Sequence, residues 1–394
     1  MRTVFINSGI ISPFRKFTGS VVVEGGKIDE VLPGENVKLL DTDIVIDAKG
    51  LYLSPGFIEL HTHGGGGHDF MDGTEEAISE GCRLHMRHGV TAVLPTTLSS
   101  SEEELYRNLA LIEKAAAGCE NIPEILGVHL EGPYFSPEQN AAQDKRHIKL
   151  PKPEEYKQIY RNCQSIKIWS VAPELPGAME MGRWLRSNGI IASIGHSNAV
   201  YEDIVKAREN GYTMLTHFFN GMSRLIRKDA KMYLGVSESG LCFDDLVAEV
   251  IADGCHLPPC LLKLIYKVKG ADGICLVTDS MRAAGQDVST SILGSIANGQ
   301  RVEIEDGVAY MPDRTSFGGS IATADRLVRT MYTMADVPLC DAVKMMTVTP
   351  ARMLGIDNRL GKIVPGADAD IILFDEGINI KLVMAKGKIW MCEL

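Results

Sequence analysis

No stretch of this sequence approaches the roughly 18 consecutive apolar residues that a membrane-spanning helix requires. The nine cysteines are odd in number and form no CxxC pair. They indicate neither a disulfide framework nor a thiolate metal site, and read as small buried hydrophobes in a reducing cytoplasm. The opening segment, MRTVFINSG, lacks the apolar core of a signal peptide, in keeping with a cytoplasmic location. Positive charge is in deficit: 40 Lys and Arg stand against 51 Asp and Glu, a formal net charge of -11. That argues against a general nucleic-acid or membrane-surface role and leaves room for a local basic pocket that takes a small anion. No GxSxG occurs and no cysteine has a recognisable catalytic setting, so a covalent nucleophile has little support. No internal repeat or low-complexity segment is present.

What the chain does have is 45% hydrophobic residues over 394 positions, enough for two domains or one large barrel with additions. Eight short apolar runs read as buried strands. They are 57–63 (FIELHTH), 90–97 (VTAVLPTT), 127–134 (GVHLEGPY), 166–174 (IKIWSVAPE), 189–197 (GIIASIGHS), 212–220 (YTMLTHFFN), 247–256 (VAEVIADGCH) and 273–280 (GICLVTDS). Helical patterns fall between and after them at 74–88, 101–118, 153–163, 177–187, 200–210, 258–268, 321–335 and 339–354. Thr74 with Glu75 and Glu76, and Ser101 with the three glutamates that follow, are helix starts; Gly118 is a stop. Strand alternating with helix, eight strands in all, predicts an α/β fold with a (β/α)8 TIM barrel. A hairpin-like VEIEDGVAYM interrupts the alternation at 301–311 and leads into a loop, TSFGGS at 315–320, placed to lie over the site. The two ends are β-rich, with hairpin signals at Gly25-Gly26 and Lys386-Gly387. Segments 1–54 and 356–394 are therefore expected to form one small β-sandwich domain, with the barrel over 55–355 inserted between them.

The polar residues of these runs cluster where the apolar pattern stops, which in such a barrel is the catalytic face. His61 and His63 are two apart on a strand and point the same way, a familiar metal arrangement. Glu131, His196 and His217 supply three protein ligands and leave a position open for water, as catalytic metal sites do and structural ones do not. Together with Asp279 these residues can hold one or two divalent ions, with Glu131 bridging. Imidazole and carboxylate suit Zn, Fe, Co or Mn, with Zn or Fe favoured. An ion there brings the pKa of bound water toward about 7, and Asp279 is placed as the general base and then the general acid. His256, after Asp253 at a strand end, is a candidate for substrate contact and carbonyl polarisation. His129 is a candidate partner for a ligand, and His85 a packing residue.

Taken in order, PGFIELHTHGGGGHDFMDG, HLEGPYFSPE, IGHSNA, THFFNGM, ADGCHLPP, LVTDSM and FGGS resemble the N-acetylglucosamine-6-phosphate deacetylases of the amidohydrolase superfamily. The resemblance runs from about residue 50 to 375 and implies hydrolysis of the acetamide of an amino sugar phosphate to acetate and a free amine. It implies Glu131, His196 and His217 as principal metal ligands and His61 and His63 for a second ion. It implies Asp279 as acid/base and His256 as the group that polarises the carbonyl. Ala142, Gln143, Asn220, Gly221, Asp253, Phe317, Gly318 and Gly319 would contact the substrate, and the chain would be a homodimer. Three departures stand out. Glu59 replaces a usual Asp and Gly221 a usual Ala. The usual His-Arg-Glu-Pro-Gly phosphate motif is replaced by SRLIRKDAKMYLG, where Arg227 and Lys228 are the candidate anion contacts. The alternatives are N-acetylgalactosamine 6-phosphate or a non-phosphorylated N-acyl compound as substrate, or a non-catalytic binding protein on the same scaffold.

Overall fold

The frame is a ring of eight parallel strands: Phe57–Thr62, Val90–Thr97, Val128–Glu131, Ile166–Val171, Ile191–Ile194, Tyr212–Leu215, Val247–Val250 and Ile274–Leu276. Each pairs with its sequence neighbour. All eight expected strands are therefore present in a TIM barrel. The computed structural model describes residues 2–12, 15–34 and 37–394; residues 1, 13–14 and 35–36 of the expected terminal β-unit lie outside the described residues.

The last and first strands close the ring by bonds outside the regular ladder. At the C-terminal end of the strands Asp279 N donates to His61 O (2.8 Å) and His63 N donates to Ser280 O (2.9 Å). At the other end the carbonyls of Met345 and Met346 accept from Leu276 and Ile58. Between these, the buried Glu59 carboxylate accepts from His61 N (2.9 Å) and Thr278 N (3.0 Å), a side-chain rung between the two strands.

The helices pack their apolar faces on the outside of the ring in one continuous cluster that includes Ile78, Leu109, Tyr156, Trp169, Leu185 and Leu262. Their starts follow the sequence signals: Thr74 Oγ1 accepts from Ala77 N, and Ser101 Oγ from Glu104 N. Three expectations change. The helix expected at 339–354 is two, Leu339–Lys344 and Val348–Met353. A continuous helix would set the Pro350 ring against the carbonyl four residues back, Met346 O. The break frees the Met345 and Met346 carbonyls that close the barrel. A short helix, Val236–Cys242, is an addition to the expected elements; its two serines and one glycine carry little helical signal. The segment at 315–320 is not a free loop. Phe317–Ser320 is a strand of a four-stranded antiparallel sheet with Thr290–Leu293, Gln300–Glu305 and Val308–Tyr310, which contains the expected hairpin.

The two ends of the chain build one eight-stranded sheet. Tyr52–Pro55 pairs with Arg2–Ile11 on one side and Ile371–Phe374 on the other. Phe5, Val21, Val23, Leu373, Leu382 and Met384 share its core. The sheet folds over so that its two hairpin turns touch: Ala369 N donates to Gly26 O, and a Cβ on Gly387 would lie 2.7 Å from Gly26 Cα. Only glycine permits that approach at Gly387, whose φ is 76°.

Candidate active site

The ligand-type side chains leave the barrel at its C-terminal rim, where three of them occupy a backbone conformation rare for non-glycine residues. His196, His217 and Asp279 have φ of 45°, 30° and 45°. Such left-handed residues end a strand abruptly and turn the side chain over the barrel mouth, a strain that concentrates at functional sites.

Two groups result. In the first, His196 Nε2 lies 2.9 Å and His217 Nε2 3.1 Å from Glu131 Oε1, and the two nitrogens are 3.1 Å apart. His196 Nδ1 donates to Gln139 O (2.9 Å), which leaves its Nε2 as the lone-pair nitrogen. Two imidazole nitrogens and a carboxylate oxygen at such spacing are what an ion with bonds of roughly 2.0–2.1 Å gathers. In the second group, Asp279 Oδ1 lies 3.0 Å from His63 Nε2 and 3.4 Å from His61 Nε2. Glu131 Oε2 reaches the same pair at 3.4 and 3.8 Å, so Glu131 faces both groups, one oxygen to each. His61 Nε2 is buried with no hydrogen-bond partner among the described residues, an orphan that a cation satisfies. The residues present fit divalent metal.

The electrostatics agree. Burial opposes ionisation of Glu131, but the surrounding imidazoles outweigh it and hold the carboxyl well below its ordinary range. Burial likewise opposes charge on His217, yet its bond to Glu131 raises it to about 9. His63 rises to about 9 for the same reason, with Asp279 as the partner that overcomes burial. Burial dominates at His61, which falls to about 4. Asp279, pushed up by burial, is pulled down to about 2 by His61 and His63. The pocket seeks positive charge.

Above the two groups lies a cavity of about 420 Å³, within the usual range for small-molecule sites. His63, Glu131, His196, His217, His256 and Asp279 line it, with Ala142, Gln143, Asn220, Gly221, Phe317 and Gly319. His256 Nδ1 lies 2.7 Å from Asp253 Oδ2, which orients the ring, and the ring packs on Phe317. Gln143 carries a bond from Glu131 to the backbone: its Nε2 donates to Glu131 Oε2 (2.8 Å) and its Oε1 accepts from Ser99 N (3.0 Å). Gly221 has φ 55°, and a Cβ there would stand 2.9 Å from His196 Nδ1, so the glycine is matched to this backbone.

Some expected residues stand outside the lining. His61 is buried beneath it, Asp253 behind His256, and Gly318 packs toward Val302. Arg227 and Lys228 are exposed on a hairpin, Ile226–Lys228 with Lys231–Tyr233. Arg224 lines the cavity instead, with Tyr310, Arg314, Thr315 and Ser316. Arg314 is already paired to Glu303 and Glu305, whereas Arg224 makes no ion pair among the described residues. The sequence offered Arg224 only as one of several cations in a run. His129, beneath the site, bonds Leu60 O and Ser170 Oγ, and its ring is 4.5 Å from that of His61.

The family model described as the amidohydrolase family matches residues 52–390. An N-acetylglucosamine-6-phosphate deacetylase of Lysinibacillus sphaericus is 32% identical over 370 residues, 94% of this chain and 92% of that protein. An N-acetylgalactosamine-6-phosphate deacetylase of Escherichia coli O157:H7 is 30% identical over 344 residues, 86% of this chain and 87% of that protein. The crystal structure of N-acetylglucosamine-6-phosphate deacetylase from Pasteurella multocida superposes with a TM-score of 0.91 at 30% identity, with 99% of each chain covered.

Proposed function

Because the chain belongs to the amidohydrolase family, we propose that it is a metal-dependent deacetylase of N-acetylglucosamine 6-phosphate. It hydrolyses the acetamide C–N bond to acetate and the free amino sugar phosphate. The observation that carries this reading is the convergence of His196 Nε2, His217 Nε2 and Glu131 Oε1, at 2.9–3.1 Å from one another, beneath a sugar-sized cavity. Glu131, His196 and His217 would hold a divalent ion, Zn or Fe in preference to Co or Mn, and His61, His63 and Asp279 a second; such an ion would supply water acidic enough to ionise near neutral pH and a Lewis acid for the amide carbonyl.

Asp279 takes the proton from water and returns it to the leaving nitrogen. It is ionised, as a base must be. Burial pushes its carboxyl up, but the charges of His61 and His63 outweigh that and keep it ionised. His256, held by Asp253 at Nδ1, directs its other nitrogen to the substrate. Gln143 keeps Glu131 in place. For the phosphate, the position of Arg224 on the cavity wall supports it, ahead of Arg227 and Lys228, as the anion contact. The nine unpaired cysteines support a cytoplasmic setting. The exposed Leu225, Ile226, Met232 and Tyr233 about the hairpin support a second copy of the chain as partner.

Metal-loaded protein assayed for acetate release from the N-acetyl-6-phosphates of glucosamine and galactosamine tests the reading. Preference for the glucosamine compound is expected. Preference for the galactosamine compound, favoured by the likeness to the Escherichia coli enzyme, moves the assignment to that sugar. No release from either overturns it.

A further inference from the structure

The barrel strand Val247–Val250 carries a single charged residue, Glu249, and it is fully buried. Its Oε2 lies 3.0 Å from His61 Nδ1 and 3.3 Å from the backbone N of His217. One carboxylate oxygen thus accepts from a member of each metal-holding group. Glu249 lies outside the cavity lining.

The two bonds have different effects. At His61, donation of Nδ1–H to Glu249 leaves the lone pair on Nε2. That atom faces Asp279 Oδ1 at 3.4 Å and Glu131 Oε2 at 3.8 Å and has no other partner among the described residues. A carboxylate behind a histidine in this way sets its tautomer, fixes its ring and makes its free nitrogen a better ligand. At His217 the carboxylate braces the backbone turn, where φ is 30°, together with a bond from Phe218 N to Glu249 O (2.7 Å). The His217 turn therefore keeps the Phe218 bond when the side chain is altered, whereas the His61 ring has no second acceptor at Nδ1 among the described residues. His129, the nearest other candidate, donates Nδ1–H to Leu60 O (3.0 Å) and stands 3.8 Å from Glu249 Oε1.

We propose that Glu249 is a positioning residue that makes His61 a metal ligand, and that occupancy of the His61–His63–Asp279 position depends on it. The proposal rests on the metal-dependent reading above. Substitution Glu249→Gln keeps the shape of the side chain and removes the charge. The expected result is a tenfold to hundredfold loss of affinity for the second ion, with the affinity at Glu131–His196–His217 changed less than about threefold.

The measurement is equilibrium dialysis of the full chain against Zn(II) and Co(II), with ions per chain counted and the Co(II) absorption bands recorded. Glu249→Asp, which keeps the charge but withdraws it by one methylene, should give the same split and serves if the glutamine variant does not fold. In a His61→Ala background, Glu249→Gln should leave the remaining ion's affinity unchanged within about threefold. Equal weakening of both ions would mean a merely structural role and would overturn the proposal. So would a second ion held at wild-type affinity in both variants, or a wild-type stoichiometry of one unaltered by His61→Ala. Failure of the deacetylase reading shows elsewhere, as absence of acetate release from ion-loaded wild-type protein.

Discussion

Asp279→Asn isolates the proton-transfer step. The amide occupies the same volume at the barrel mouth but cannot accept a proton from water. Two features of the site set the size of the effect. Asp279 and Glu131 are the carboxylates of the cavity wall, and Glu131 is engaged by His196, His217 and Gln143. Among the described residues no other carboxylate of the wall is free to replace Asp279, so the loss should fall in the upper part of the usual ~10²–10⁴ range for general acid–base catalysis. That corresponds to roughly 4–5.5 kcal/mol of barrel-mouth stabilisation in the transition state. Because the lost interaction belongs to the reacting proton, kcat and kcat/KM should fall together while KM stays near its wild-type value. Acetate release at saturating substrate measures the first, and metal analysis accompanies it. The Glu131–His196–His217 ion should remain, since Asp279 is not in that group, while the second ion weakens with the loss of an oxygen 3.0 Å from His63. Turnover within about threefold of wild type, in protein that retains its first ion, would refute the role given to Asp279.

Arg224→Ala should raise KM for the phosphorylated sugar roughly tenfold to a hundredfold, the worth of a charge-assisted contact, and leave unphosphorylated N-acetylglucosamine little changed; steady-state kinetics on both substrates decides, and Arg227→Ala serves as the comparison. His85, lowered by burial to about 4, binds its proton less readily folded than unfolded, where its pKa is about 6.5. Its contribution is therefore complete above pH 6.5 and is lost as pH falls from there through 4. It amounts to about 2 kcal/mol between pH 7 and pH 5, so denaturant melts of metal-free His85→Gln should show a shallower decline over that window than wild type. Gly387→Ala sets a Cβ 2.7 Å from Gly26 Cα at a φ of 76°. It should cost upwards of 1 kcal/mol in a thermal or urea melt, with acetate release by the folded fraction unchanged.

The barrel was legible because its strands are short apolar runs that stop at polar residues, and the stopping residues are the ones the structure gathers. Glu131, His196, His217, His61, His63 and Asp279 come from five different strands, yet each announces itself by breaking an apolar pattern. Glu249 does not. A carboxylate in the middle of VAEVIADGCH reads as a flaw in a strand until the fold sets it behind His61. Arg224 and Arg227 are three apart in one cationic run, and only the hairpin that carries Arg227 away from the cavity distinguishes them. The break at Met345–Thr347 was hidden for the opposite reason. The apolar period continues through it, and the demand for two carbonyls at the barrel seam is a tertiary one.

The sheet built from both ends of the chain has a consequence for biosynthesis. Tyr52–Pro55 is translated early, and its partner Ile371–Phe374 emerges only after the entire barrel. At roughly 5–20 residues per second the wait on a ribosome is on the order of tens of seconds. For that interval the part of the sheet built from residues 2–55 presents an apolar face, with Phe5, Val21, Val23 and Leu53, and an unfilled edge to the surrounding proteins. The nascent chain is thus exposed to mispairing at the edge of Tyr52–Pro55 until the late strand arrives. Fusions or truncations that delay or remove residues 371–392 should therefore show their damage first as aggregation of newly made protein, before any change in the chemistry of the folded enzyme.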